Sequence, residues 1–145
     1  MVAESLSRNN TAAKLFSTAL ADGRTHWLLA GILRRPTALR NLAADTGKGQ
    51  SGHFAGLKQV AIDEIRGSEG RTEDFDDQFH PPTDRMRQRW QSVASAVAAG
   101  IGLPPVELIQ VGNCYYVRDG HHRVSVTRAL REQEIEARVT VWKVD

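Results

Sequence analysis

The sequence predicts an α/β (α+β) fold, a small mixed sheet flanked by helices, preceded by an N-terminal helical extension. Three observations predict it. Apolar and polar residues alternate near Val60 and Ile62, near Val106 and Leu108, and through Ile135, Ala137, Val139 and Val141, the period-two pattern of half-buried strands. Met86, Trp90, Val93, Ala94 and Val97 recur at the spacing of one helix face. Gly112-Asn113 stands between two strand patterns as a two-residue hairpin turn.

In order along the chain, residues 5–10 read as a frayed polar leader. Residues 12–21 are rich in Ala and Leu and predict a helix with Leu15, Phe16, Ala19 and Leu20 on one side. Asp22-Gly23 is expected to stop it. Thr25 would cap a second helix that buries Trp27, Leu28, Ile32 and Leu33, and Thr37 would start a third running to Ala44, after Pro36. Residues 45–52, Asp-Thr-Gly-Lys-Gly-Gln-Ser-Gly, read as a polar linker; they lack P-loop spacing and a preceding strand. The expected domains are therefore a helical extension at 1–56 and the α/β domain at 57–145. In the latter, a strand at Val60 and Ile62 leads to a charged, glycine-rich loop at 66–71. Thr83 is expected to cap a helix over 84–99, ended by Gly100, with Arg85, Arg87 and Arg89 on its solvated face. After the hairpin, a helix runs to about Arg131 with Val126, Ala129 and Leu130 inward, and a last strand follows.

The composition sets bounds on function. With 145 residues, 41% hydrophobic and 25% charged, the chain has the profile of a soluble globular protein that buries a core of its own. Cys114 is the single cysteine, which excludes an internal disulfide and a cysteine zinc site and suits a reducing, cytoplasmic location. The apolar run 27–33 is far short of the roughly 20 residues of a membrane span, so no membrane partner is expected. Residues 1–10 lack the apolar centre of a signal peptide. The net charge of +2 permits a nucleic-acid partner without arguing for one.

The candidate site is the stretch 115–129, which passes from an apolar run through Asp119-Gly120 into His121-His122-Arg123 at the start of a helix. The first amides of a helix lack internal partners and sit at the positive end of its dipole. Glycine there lets a ligand approach the backbone, so the pattern points to a phosphate-binding site. Arg123 offers a rigid fork of donors suited to phosphate oxygens. His121 and His122 diverge by about 100° on a helix and cannot chelate one ion together; one is a candidate phosphate donor or proton shuttle, the other a cap. Asp119 is a candidate helix cap, a partner of Arg123, or a holder of Mg²⁺ beside phosphate. Arg71 would close over the site as a second cation, and Glu69 would act as general base or position the acceptor. His80, His121 and His122 lack helical ligand spacing, so no metal site is expected. Cys114 reads as core.

Residues 116–129, Y-V-R-D-G-H-H-R-V-S-V-T-R-A, resemble the signature of the ParB/sulfiredoxin-like superfamily. Val60-Ala61-Ile62-Asp63-Glu64-Ile65 and Gly67-Ser68-Glu69-Gly70-Arg71 look like its first box, a strand followed by an Arg-containing loop. The resemblance covers roughly residues 57–144. It implies that the strand, the glycine turn and the Arg-bearing helix start form the phosphate side of a nucleotide pocket. ParB proteins bind and hydrolyse CTP and clamp DNA, with a G-E-R-R-x-R-A motif; this chain has G-H-H-R-V-S-V, without the Glu and the first Arg. Sulfiredoxins carry a nucleophilic Cys in G-C-H-R, where His121 stands here, which argues against sulfinic acid reduction. Other members are small-molecule kinases or nucleases, nearer in character to this loop.

The expected function is thus binding of a nucleoside di- or triphosphate, with or without Mg²⁺, coupled to hydrolysis or phosphoryl transfer. The cofactor-binding residues would be Arg71, Asp119, Gly120, His121, His122 and Arg123, and the catalytic ones Glu69 and His121. The alternative is a ParB-like DNA-binding or nuclease protein whose cationic pocket takes backbone phosphate. The N-terminal helices are the candidate contact of a homodimer.

Overall fold

The computed structural model describes the backbone of residues 2–47 and 51–143, and side chains from residue 10 onward except Ser51. Among them a helix α1 (Val2–Ile32) is followed by β1 (Arg40–Asn41), α2 (Leu42–Thr46), β2 (Ser51–Ala61) and β3 (Ile65–Ser68). Then come α3 (Arg87–Ala98), the hairpin β4 (Val106–Val111) and β5 (Cys114–Asp119), α4 (His121–Ala129) and β6 (Glu134–Lys143). The strands form one mixed sheet in the order β1-β3-β5-β4-β6-β2. β1, β3 and β5 run parallel to one another, β4 is antiparallel to β5 and parallel to β6, and β2 is antiparallel to β6. The mixed sheet with flanking helices is the architecture expected from the sequence.

The core lies between the sheet and α1, α3 and α4. Strand alternation supplies Leu108, Val117, Ala137 and Val139, and the helices supply Phe16, Trp90, Val124 and Val126. Phe16 meets Trp90 edge-on, with ring centroids 5.4 Å apart, and the Arg87 guanidinium lies 4.7 Å above the Phe16 ring. Ser125 ties the layers together: it accepts from Trp90 Nε1 at 2.8 Å and donates to the Phe79 carbonyl. On the opposite face a smaller cluster joins Leu42 of α2 with Ile109 and Tyr116, flanked by Cys114 and Trp142. The Tyr116 hydroxyl donates to Asp45 of α2 at 2.6 Å, and Asn41 caps α2 through the Ala44 amide.

The N-terminal region departs from expectation. Residues 5–10 are helical, and α1 runs without a break through Asp22-Gly23, so one helix replaces two. A glycine inside a helix costs about 1 kcal/mol, and here close packing accounts for it: a Cβ on Gly23 would lie 2.8 Å from His80 Cβ. The expected inward face of the second half is exposed: Trp27, Leu28, Ile32 and Leu33 are each more than half accessible, as is Leu29 beside them. The helix ends where Arg34 adopts φ 55° and the Arg35 amide turns back to the Ala30 carbonyl. The third helix expected from Thr37 is absent; the chain instead adds β1 beside β3 and then the short α2. Of the linker at 45–52, residues 48–50 lie outside the described residues, and Gly52 already belongs to β2. The boundary drawn at 56/57 falls inside β2.

Smaller differences follow the same logic. Residues 66–68, read as loop, belong to β3, whose Gly67 lies under the Tyr116 ring; a Cβ there would be 2.4 Å from a ring carbon and 2.7 Å from the Arg40 carbonyl. Thr83 makes no side-chain cap, because a 3-10 turn at Asp84–Met86 precedes α3. α4 stops at Ala129, leaving Leu130 38% exposed. No helix of the described residues is long and apolar enough to cross a membrane.

Candidate functional site

The start of α4 is set by Gly120. It occupies the left-handed region at φ 102°, and a Cβ on it would lie 2.6 Å from Val106 Cγ1. Only glycine accommodates both the backbone angle and the close approach of β4. The Val124 amide makes the first bond back to the Gly120 carbonyl, at 3.0 Å. The amides of His121, His122 and Arg123 precede it, and no side chain caps the helix. Asp119, a candidate for that cap, does not provide it, and among the described residues it forms no ion pair with Arg123. The chain turns into the helix at Gly120, one residue beyond it.

His121 is buried, and its Nε2 lies 2.7 Å from the Ser68 hydroxyl. Ser68 is fully buried and accepts from the amides of Gly70 and Arg71, at 3.2 and 2.9 Å. With its acceptor sites taken, the hydroxyl proton goes to His121, whose Nε2 therefore accepts and whose own proton sits on Nδ1. Burial first, then the nearby Arg71 guanidinium, lowers the His121 pKa to about 4. The ring is neutral at physiological pH, in keeping with this hydrogen bond. Phe75 stacks on the ring, with centroids 6.5 Å apart and planes 8° apart, and meets His122 edge-on at 5.3 Å.

His122 is likewise held below its ordinary pKa, by burial and then by the Arg89 and Arg71 guanidinia; Asp74 opposes this weakly. Its Nδ1 is buried without a hydrogen-bond partner, and so is Nε of Arg123. Arg123 is half-buried and donates from one terminal nitrogen to the Pro104 carbonyl at 3.2 Å. Arg71 is exposed on the loop after β3, which Ser68 folds toward the start of α4. Glu69 leads away from the two histidines: its carboxylate pairs with Arg118 of β5 at 2.7 Å, both side chains being about two-fifths exposed.

The expected residues are therefore brought together around one helix end, except that Glu69 is engaged elsewhere. Sequence reasoning missed Ser68, Phe75, Asp74 and Arg89. Ser68 carried a signal, since a small hydroxyl residue three positions before Arg71 is placed to cap the turn that holds it. Arg89 was assigned to a solvated face, and it is exposed, yet its charge reaches His122.

No protein-family model and no curated protein matches the chain. Among solved structures, the crystal structure of sulfiredoxin from Arabidopsis thaliana is similar, at 18% identity and a TM-score of 0.43, over 57% of this chain and 82% of that one.

Proposed function

We propose that the start of α4 binds the phosphate groups of a nucleotide. One observation carries the reading: the helix start is uncapped, and there His122 and Arg123 each keep a buried nitrogen without a partner. Buried polar groups are nearly always satisfied, so two adjacent orphans suggest an absent ligand. The surrounding charge favours an anion, because after burial the Arg89 and Arg71 guanidinia are what lower the His122 pKa. In this reading the α4 amides and Arg123 take the phosphate and Arg71 closes from the loop. Neutral His121 positions the loop through Ser68 rather than supplying charge, and its Nδ1–H remains the group for any proton transfer. Asp119 and Asp74 are the nearby carboxylates suited to Mg²⁺. Hydrolysis or phosphoryl transfer is the further step proposed, and Glu69 would serve it only after release from Arg118. The exposed apolar end of α1 supports self-association through that helix.

The test is a thermal-shift and calorimetric panel of phosphate, ADP, ATP, CTP, GTP and a DNA duplex, each with and without Mg²⁺. A nucleotide at 100 times its Kd adds about 2.7 kcal/mol of stability. The expected result is stabilisation by a nucleotide that is reduced in Arg71→Ala and in Arg123→Ala. Stabilisation by DNA alone, steeply weakened by salt, would replace this reading with the nucleic-acid one.

A further inference from the structure

The sequence gives no metal motif, yet the fold assembles a metal-ligand set away from α4. His26 of α1 and Asp76 and Asp77 of the loop after β3 each place one donor atom within 4.8 Å of the others. His26 Nε2 lies 2.7 Å from Asp77 Oδ1, although the two residues are 51 positions apart. The Asp76 carboxylate is fixed from behind: one oxygen accepts the Gln78 and His80 amides and the other faces His80 Nδ1, each at 2.9 Å. The backbone is held as well, by the Asp77 amide on the Thr37 carbonyl at 2.8 Å and a bridge from Ala38 to Asp76. Among the described residues neither carboxylate pairs with Lys or Arg; the side chains paired with them are imidazoles. A cleft of about 590 Å³, lined by Trp27, Phe75 and Asp76 among others, opens beside the set.

We propose that His26, Asp76 and Asp77 bind one divalent transition cation, of the Zn²⁺ or Co²⁺ class. One imidazole with two carboxylates suits these ions, whereas Mg²⁺ and Ca²⁺ favour all-oxygen shells. Ligands about 2 Å from one ion stand roughly 3–4 Å apart, so a small adjustment, with the His26–Asp77 pair opening slightly, completes the site. The cation replaces the proton between His26 Nε2 and Asp77 Oδ1. His80 acts as a positioning residue by orienting Asp76, as outer partners of metal ligands do. Three protein ligands leave coordination positions for water or a ligand in the cleft. This site is independent of the phosphate reading, and neither needs the other.

The test uses the full chain, stripped with chelator and desalted, titrated with Zn²⁺ by calorimetry and with Co²⁺ by visible absorption. One equivalent should bind. Affinity should fall at least about tenfold in His26→Gln and in Asp77→Asn, and stay unchanged in His53→Gln, whose histidine is exposed on β2. On the unmutated chain, substoichiometric Mn²⁺ should broaden the His26 ring signals before those of His53. Absence of uptake, equal uptake by His26→Gln, or broadening that begins at His53 would each overturn the proposal.

Discussion

His121 and His122 at the start of α4, and His26 and His80 between α1 and the loop after β3, are two histidine pairs in opposite electrostatic surroundings. The first pair is packed under Phe75, with Arg71 and Arg89 as cationic neighbours, and burial and those charges hold both rings neutral. The second pair is about one-fifth exposed, and each ring is hydrogen-bonded to a carboxylate, Asp77 for His26 and Asp76 for His80. The same side chain is thus prepared for opposite partners. A helix start with neutral rings and arginines suits an anion, and rings against carboxylates suit a cation. Phe75 and Asp76 are adjacent in sequence, so one loop contributes to both places.

The largest effect expected is on the fold that creates the first pair. Gly120→Ala would combine a strained backbone angle with a clash against Val106, and should destabilise the protein by about 4 kcal/mol in urea unfolding. A loss below about 1 kcal/mol would mean that the α4 start relaxes freely and is not a preformed site.

Next is acidification. The folded pKa of His121 is about 4 against an ordinary 6.5. Between those values the unfolded chain binds more protons than the folded one, so stability falls as pH drops from about 6.5 and the loss is complete near 4. At about 1.4 kcal/mol per unit the loss is roughly 3 kcal/mol, and the lowered pKa of His122 acts in the same direction. Denaturant midpoints at pH 7 and pH 4 check it, with His121→Gln as the comparison; an equal loss in that variant would remove His121 from the account.

Arg71→Ala sharpens the contrast in function. It removes one cation from the α4 start and none from the His26 cluster, so nucleotide affinity should fall about tenfold, the order of one charge-assisted hydrogen bond, while Zn²⁺ uptake stays unchanged. Calorimetry on one preparation reads both. The smallest effect concerns α1: Ile32→Glu should weaken self-association in sedimentation velocity without altering either site, since Ile32 is 78% exposed.

These two places differed in how far the sequence revealed them. The α4 site is local in sequence: strand, Asp119-Gly120, then His121-His122-Arg123. Its glycine requirement and its cationic start could be read from neighbouring residues. Its supports could not, because Ser68 reaches His121 across 53 positions and Phe75 comes from a loop without periodicity. The His26 cluster was invisible for the same reason. The extension was misread where local rules were overruled by contacts: Asp22-Gly23 signals a stop, but Gly23 is the position that lets His80 approach α1. Trp27 and Leu28 carry the apolar character of a buried face, and the fold leaves that face exposed. The strand pattern in β6 was legible because its buried positions alternate, and β4 and β5 because Gly112-Asn113 marks a turn between two apolar runs; β3 was not, since its buried positions include Gly67 and Ser68.

The most direct test of the contrast is a histidine-resolved NMR titration of one sample, first with ADP and then with Zn²⁺. The account predicts that ADP shifts the ring signals of His121 and His122 and leaves His26 and His80 in place, and that Zn²⁺ does the reverse. Ring signals that all stay fixed, or an ADP response centred on His26 and His80, would contradict it.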